Sequence, residues 1–361
     1  MPATLRATRA VAALSTAAVL GLTLAACGSD DGDEKSATPS ECKATTPALP
    51  AIKPIAATTT DDATRTFEAD NGKVEIPTDP KRIVATGYAV PVLLEADAHL
   101  VGISAWGRGT ALMTDDDLSD YKKLKKVAGE TAASTNYEAI ANLKPDLIML
   151  GVPLPVLGDV DVERLEGIAP VVVLGPDRPD GWKQLSQRQA DAAGENEYFE
   201  TARASYEKKA AGLKEKWADV LDDHCFGHLG GYGEASSGSY EREYAGAWGT
   251  NIATDVGVRY YGQPFKPAEG SGAFAENQSI EQLPESFADA DAVTYSANND
   301  GSTPDSIQYV LDHDLWKALP AAKDGAVIPL RYTEAATYPT AERTLDEIDK
   351  ALTKAFADEL D

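Results

Sequence analysis

The stretch NYEAIANLKPDLIML (136–150) carries two structural statements in fifteen letters. Tyr137, Ile140 and Leu143 recur every three residues, which puts them on one face of a short helix. Lys144-Pro145 stops that helix, because a proline disfavours the helical region for the residue before it. The aliphatic run Leu147–Leu150 then follows, too short for a helix of its own and apolar on both faces, as a strand buried on both sides must be. A second stretch, SIEQLPESFADADAVTY (279–295), repeats the plan: a glutamate on a short helix, an acidic stop, then a buried strand.

Outward from these two stretches the same alternation continues. FEADNGKVEIP (67–77) is predicted as a hairpin around Asn71-Gly72. RIVAT (82–86), LVGIS (100–104) and VVVL (171–174) are predicted strands, and PVLLEADA (91–98) and VERLEGI (162–168) are predicted helices. Residues 182–222 keep helical spacing without a proline, as one long helix or a short one plus a long one. The alternation then restarts with GHLGGYG (227–233), VRYYG (258–262), AVTYS (292–296) and AVIPL (326–330) as strands. WGTNIATDVG (248–257), SIEQLPESF (279–287), DHDLWKAL (312–319) and TAERTLDEIDKALTKAFADEL (340–360) read as helices between and after them. The fold class is therefore α/β: two Rossmann-like lobes joined by a long connecting helix, with a ligand cleft between them, because open α/β sheets bind ligands at the carboxyl ends of their strands.

The chain has 361 residues, 43% hydrophobic and 25% charged, which is the composition of a protein with a proper core. Its formal net charge of −25 argues against nucleic acid, whose phosphates demand clustered Lys and Arg. At the start, Arg6 and Arg9 precede an apolar run, Val11–Leu24, shorter than the roughly 20 residues of a membrane-spanning helix. That run closes on Leu24-Ala25-Ala26-Cys27, which resembles a bacterial lipobox. The resemblance implies a signal peptide over 1–26, removed before Cys27, whose thiol then carries a lipid on the outer face of the cell membrane. GSDDGDEKSATPSE (28–41) reads as a flexible tether. The expected organisation is 27–63 lipidated cysteine and tether, 64–180 first lobe, 181–222 connecting helical region and 223–361 second lobe. In an oxidising compartment Cys42 and Cys225 are candidates for a disulfide, although sequence alone does not place them together.

PKRIVATGYAVPVLLEADAHLVGIS (80–104), YEAIANLKPDLIML (137–150) and LWKALPAAKDGAVI (315–328) are similar to the ferric-siderophore and cobalamin substrate-binding proteins of ABC importers. The resemblance covers roughly residues 65 to 360. It implies a noncatalytic, monomeric receptor with two lobes and modest closure, no resident cofactor, iron present only inside the bound siderophore, and ABC permease subunits as partners. It also implies that Glu138 and Glu281, one per lobe, meet arginines on the permease; the plain alternative is a helix-start carboxylate favoured by the dipole.

A ferric siderophore has an apolar body around an oxygen-rich chelate, and aromatic walls with a few guanidinium donors suit it. The loops at the predicted strand ends supply Tyr88, Trp106, Arg108, Tyr232, Tyr240, Arg242, Tyr244, Trp248, Tyr295, Arg331 and Tyr332 as ligand-binding candidates. Tyr260, Tyr261, Trp182, Trp217 and Trp316 read as packing residues. A polyanionic catecholate chelate needs clustered cations; YKKLKKVAG (121–129) is basic, but a solvated helix face explains it. A neutral or cationic hydroxamate chelate such as a ferrioxamine suits an acidic, tyrosine-rich cleft, with haem, cobalamin or a catecholate as alternative cargoes. Relatives that bind hydroxamates often carry an arginine just before the helix at 136–143; here that segment is GETAAST, and Arg108 or Arg331 is the available substitute. HCFGH (224–228) would hold its two histidines too far apart on a strand for one ion. A lipid-anchored hydrolase lacks a G-x-S-x-G elbow here.

Overall fold

The computed structural model describes residues 42, 52, 63–231, 238–268 and 270–359. Cys27 with its leader, the segment 28–41, and Tyr232 lie outside the described residues. Folded structure opens with the hairpin β1 (Thr64–Ala69) and β2 (Gly72–Pro77), paired antiparallel. The first lobe follows: β3 (Ile83–Gly87), α1 (Ala89–Glu95), β4 (Leu100–Ser104), α2 (Asp115–Lys123), β5 (Lys126–Ala128), α3 (Tyr137–Leu143), β6 (Leu147–Gly151), α4 (Val162–Glu166) and β7 (Val171–Val173). Its sheet runs β5-β4-β3-β6-β7 with every pair parallel.

Two helices connect the lobes: α5 (Trp182–Ala193) and α6 (Asn196–Asp222). They separate at Gly194, whose φ of +84° lies in the left-handed region that glycine adopts at little cost, and its N–H caps the end of α5. The second lobe comprises β8 (Phe226–Leu229), β9 (Ser239–Glu243), α7 (Asn251–Val256), β10 (Ala275–Ser279), α8 (Leu283–Ser286), β11 (Ala292–Ser296), α9 (Asp305–Leu311), α10 (Asp314–Lys317), α11 (Pro320–Lys323), β12 (Val327–Leu330) and α12 (Tyr338–Ala355). Its sheet order is β10-β9-β8-β11-β12.

The echo between the two lobes has an atomic basis. In the first lobe Asp146, immediately before β6, accepts from the backbone N–H groups of Lys81 (2.7 Å) and Arg82 (2.9 Å), just before the neighbouring β3. In the second, Asp291, immediately before β11, accepts from Cys225 N–H (2.7 Å), just before the neighbouring β8. Each aspartate satisfies backbone donors where two central strands begin, so it sets the register of the pair. The helix of the opening stretch is likewise explained locally. Asn136 Oδ1 caps α3 by accepting from Ala139 N–H (3.0 Å), and Lys144, turned to φ +48° before Pro145, ends it.

Three expectations change. The second sheet is not wholly parallel: β9 and β10 add on antiparallel beside β8. VRYYG is no strand of that sheet, since Tyr260 makes only an isolated bridge to Phe226 while its ring is buried in the core. The basic run 121–129 is split between the end of α2 and the edge strand β5, where lysine protects an open sheet edge. Trp182, Trp217 and Trp316 are buried as packing residues. One core cluster joins Val92 and Leu112 of the first lobe to Trp182, Tyr206, Tyr338 and Leu345, so the lobes share apolar packing. Cys42 and Cys225 are joined by a disulfide, with Cα atoms 5.6 Å apart.

Candidate ligand cleft

The carboxyl ends of β3 and β6 are drawn together by two glycines. A Cβ at Gly151 would lie 2.2 Å from Ala89 N and 2.7 Å from Tyr88 N, so only glycine permits the approach in which Tyr88 N–H donates to Gly151 O at 2.8 Å. This contact sets Tyr88 at the mouth of the sheet. After β4, Trp106 N–H donates to Tyr121 OH (2.8 Å), which fixes the neighbouring loop. The Tyr88 and Trp106 rings meet edge to face at 5.0 Å, and the Arg108 guanidinium lies over both, 4.6 Å and 4.1 Å from their centroids.

From the second lobe Trp248 stacks against Tyr88, with centroids 6.0 Å apart and planes inclined by 14°. Tyr332 follows β12 with φ +60°, an uncommon conformation for a non-glycine residue. Its carbonyl is held by Thr344 Oγ1 (2.7 Å) and its hydroxyl accepts from Arg331 Nη2 (2.7 Å). These rings enclose a cleft of about 350 Å³, which lies within the range of small-molecule sites. Among the described residues lining it Arg108 is the cation, and Glu95 and Glu334 are the acids. Burial lifts the Tyr88 phenol above its ordinary pKa, and the Arg108 guanidinium pulls it back.

Of the expected ligand residues, the structure brings Tyr88, Trp106, Arg108, Trp248 and Tyr332 together around this cleft. It does not bring Tyr240, Arg242, Tyr244, Tyr295 and Arg331 there. Tyr240, Arg242 and Tyr244 are buried on and after β9 rather than turned to the cleft. The Arg242 guanidinium sits among Phe287 (4.2 Å), Tyr261 (5.0 Å) and Tyr244 (5.2 Å), where burial pushes its pKa down. Tyr295 is buried with its hydroxyl 3.2 Å from Thr303 Oγ1. Arg331 lies beside a separate surface groove, bonded to Glu347 (3.4 Å). Alternation along β9 and β11 carries Tyr240, Arg242 and Tyr295 into the lobe interior. Glu138 and Glu281 are exposed in the first turns of their respective helical segments.

Beneath the cleft runs a buried polar chain that sequence inspection missed. Thr333 Oγ1, at the cleft, donates to Ser296 Oγ (3.0 Å), and Ser296 Oγ is 3.2 Å from His228 Nε2. His228 Nδ1 is 2.7 Å from Thr294 Oγ1, and Glu243 Oε2 accepts from Gly249 N–H (2.8 Å). Burial drives His228 down to about 3 and Glu243 up to about 8. Glu95 was also missed, although a carboxylate closing the apolar helix VPVLLE was a visible signal. Among the described residues no group of three or more His, Cys, Asp or Glu side chains is arranged to hold a metal ion. No helix among them is long and apolar enough to cross a membrane.

Comparison with known proteins gives consistent neighbours. The profile of the periplasmic binding protein family matches residues 85–332. The iron(3+)-hydroxamate-binding protein YxeB of Bacillus subtilis is 28% identical over 269 residues, 73% of this chain and 76% of its own. The iron(3+)-hydroxamate-binding protein FhuD of the same organism is 27% identical over 268 residues, 73% of this chain and 78% of its own. Among solved structures, the siderophore periplasmic binding protein from the fuscachelin gene cluster of Thermobifida fusca is 30% identical with a TM-score of 0.61. That match covers 76% of this chain and 97% of the other.

Proposed function

This chain belongs to the periplasmic binding protein family, and we propose that it is the membrane-tethered receptor of an ABC importer, capturing an iron(III) siderophore of the hydroxamate type. The observation that carries the cargo class is the make-up of the cleft: aromatic rings from both lobes with Arg108 as the cation among its described lining residues. A triscatecholate chelate bears several negative charges and calls for clustered cations. A hydroxamate chelate such as ferrioxamine is neutral or cationic and asks only for apolar faces and a donor or two, which Arg108 supplies. The curated relatives named for iron(3+)-hydroxamate binding support the same cargo.

In this reading Tyr88, Trp106, Trp248 and Tyr332 bury the body of the ligand, and the chemistry is reversible capture without turnover. Cys27 carries the lipid that holds the receptor at the outer face of the cell membrane. Residues 28–41 are the tether, because Cys42 is already bridged to Cys225 and the expected tether to residue 63 is shortened accordingly. Glu138 and Glu281 present one carboxylate per lobe to the permease.

The test is a tryptophan-fluorescence titration of the anchor-free protein with ferrioxamine B, run beside ferric enterobactin, haem and cobalamin. Saturable quenching by ferrioxamine B alone is expected, since Trp106 and Trp248 both face the cleft. Saturation by one of the other three instead would replace the cargo.

A further inference from the structure

Glu95 stands where three parts of the molecule meet. It is the last residue of α1 in the first lobe, and it lines the cleft. Its Oε1 accepts from the hydroxyl of Thr337, the residue that caps α12 of the second lobe (2.9 Å). Its Oε2 accepts from the hydroxyl of Tyr198 on the connecting helix α6 (3.0 Å). Two further polar contacts cross at the same level. Arg343 of α12 donates to the carbonyls of Leu112 (2.6 Å) and Met113 (3.0 Å), and Ser186 of α5 donates to Ala336 O (3.4 Å). Only Glu95 among these groups is titratable near neutral pH and also lines the cleft.

We propose that Glu95 is a positioning residue of the ligand cleft: its carboxyl latches α12 and the connecting helix to α1, and the strength of that latch follows its protonation. The inference rests on the cleft being the ligand site. Removal from water raises the carboxyl to about 8. The Thr337 and Tyr198 hydroxyls pull it down, while the Asp117 carboxylate on α2 adds to the rise. Near neutral pH the protonated carboxyl donates to one of these two hydroxyls and accepts from the other, and so bridges the lobes without a buried charge. Above its pKa the two hydroxyl bonds become charge-assisted, but the lost hydration outweighs them, so the ionised form draws water toward the cleft wall and the first turn of α12 loosens. A ligand that fills the cleft covers the same carboxyl, so capture favours the protonated form.

The experiment uses the anchor-free protein without ligand. Hydrogen exchange of residues 338–344 is compared at pH 7 and pH 9, after correction for intrinsic rates, in the parent and in Glu95→Gln and Thr337→Val variants. A roughly tenfold loss of protection between the two pH values in the parent is expected, as complete titration of one group coupled to the latch would produce. Glu95→Gln, which is neutral throughout, keeps the same protection at both, and Thr337→Val lowers it at both. Equal pH responses in the parent and Glu95→Gln overturn the latch. A parallel ferrioxamine B titration should weaken severalfold from pH 7 to 9 in the parent and stay level in Glu95→Gln. Failure of ferrioxamine B to bind at either pH, with the exchange result intact, overturns the cargo and supports the latch.

Discussion

His228 Nε2 and Glu243 Oε2 lie 3.6 Å apart with both side chains buried, and both groups are held in their neutral forms. Burial alone accounts for most of this, since an ion in a water-free interior lacks its hydration. Glu243 and Glu95 are both raised from 4.5 to about 8, and Glu241 to about 7. Between the unfolded and folded values the native state holds protons that the unfolded chain has released, so stability falls as pH rises through that window. His228, lowered from 6.5 to about 3, acts oppositely, but only below 6.5. From pH 6.5 to 8 the carboxyls therefore act without opposition from it. Thermal unfolding monitored by circular dichroism should show a falling midpoint across that interval. Glu243→Gln should flatten the slope by about 1 kcal/mol per pH unit, and an unchanged slope would contradict the assignment.

The Cys42–Cys225 bridge closes a separation of 183 residues, tying the start of the described chain to the first strand of the second lobe. In the chain-entropy account such a loop is worth up to about 5 kcal/mol, less whatever structure the unfolded chain retains. The Cys42→Ser/Cys225→Ser double variant should unfold several degrees lower than the parent. Its midpoint should not respond to dithiothreitol, whereas that of the parent falls toward it on reduction. A parent indifferent to reductant would count against a stabilising bridge.

Residues whose role is fixed by local chemistry were legible in advance. The helix–Lys-Pro–strand stretch, its echo at 279–295 and the buried aliphatic strands follow from spacing and proline sterics, and the structure has them where the letters put them. Tyr88, Trp106 and Arg108 were legible as cleft residues because they lie in the segments that follow strand ends of a parallel sheet. Tyr240, Arg242 and Tyr244 misled because an antiparallel edge pair, β9 with β10, is set by long-range register and leaves no local mark. The His228 chain was invisible for the same reason: its partners Thr294 and Ser296 are 66 and 68 residues away in sequence and meet it only through the β8–β11 pairing.

Arg108 stacks on two cleft rings and its side chain is exposed, so its removal should cost the ligand far more than the fold. Arg108→Ala is expected to weaken ferrioxamine B roughly tenfold, in line with a charge-assisted hydrogen bond of about 1.5 kcal/mol, with little change in unfolding midpoint. Tyr240→Phe should behave in the opposite sense. It removes the hydroxyl that donates to Gln278 Oε1 at 2.5 Å inside the lobe, lowering stability by about 1 kcal/mol while leaving the affinity within twofold. Paired fluorescence titrations and thermal melts read both quantities, and a Tyr240→Phe loss of affinity as large as that of Arg108→Ala would place the cleft elsewhere.

Glu138 and Glu281 bear on delivery rather than capture. Each is an exposed carboxylate in a first helical turn, absent from the cleft lining, with one in each lobe. Charge reversal there leaves the aromatic walls untouched, so Glu138→Lys and Glu281→Lys should each bind ferrioxamine B as the parent does. If these carboxylates meet cations on the permease, each reversal replaces attraction with repulsion, and the effect on docking is larger than that of simple truncation. Cells relying on this receptor should take up the iron chelate several times more slowly with either variant and not measurably with both. Iron-55 uptake set beside the fluorescence affinities separates the two steps. Normal uptake by the double variant would assign the two glutamates to helix starts alone, where a carboxylate near the N-terminus gains a few tenths of a kcal/mol.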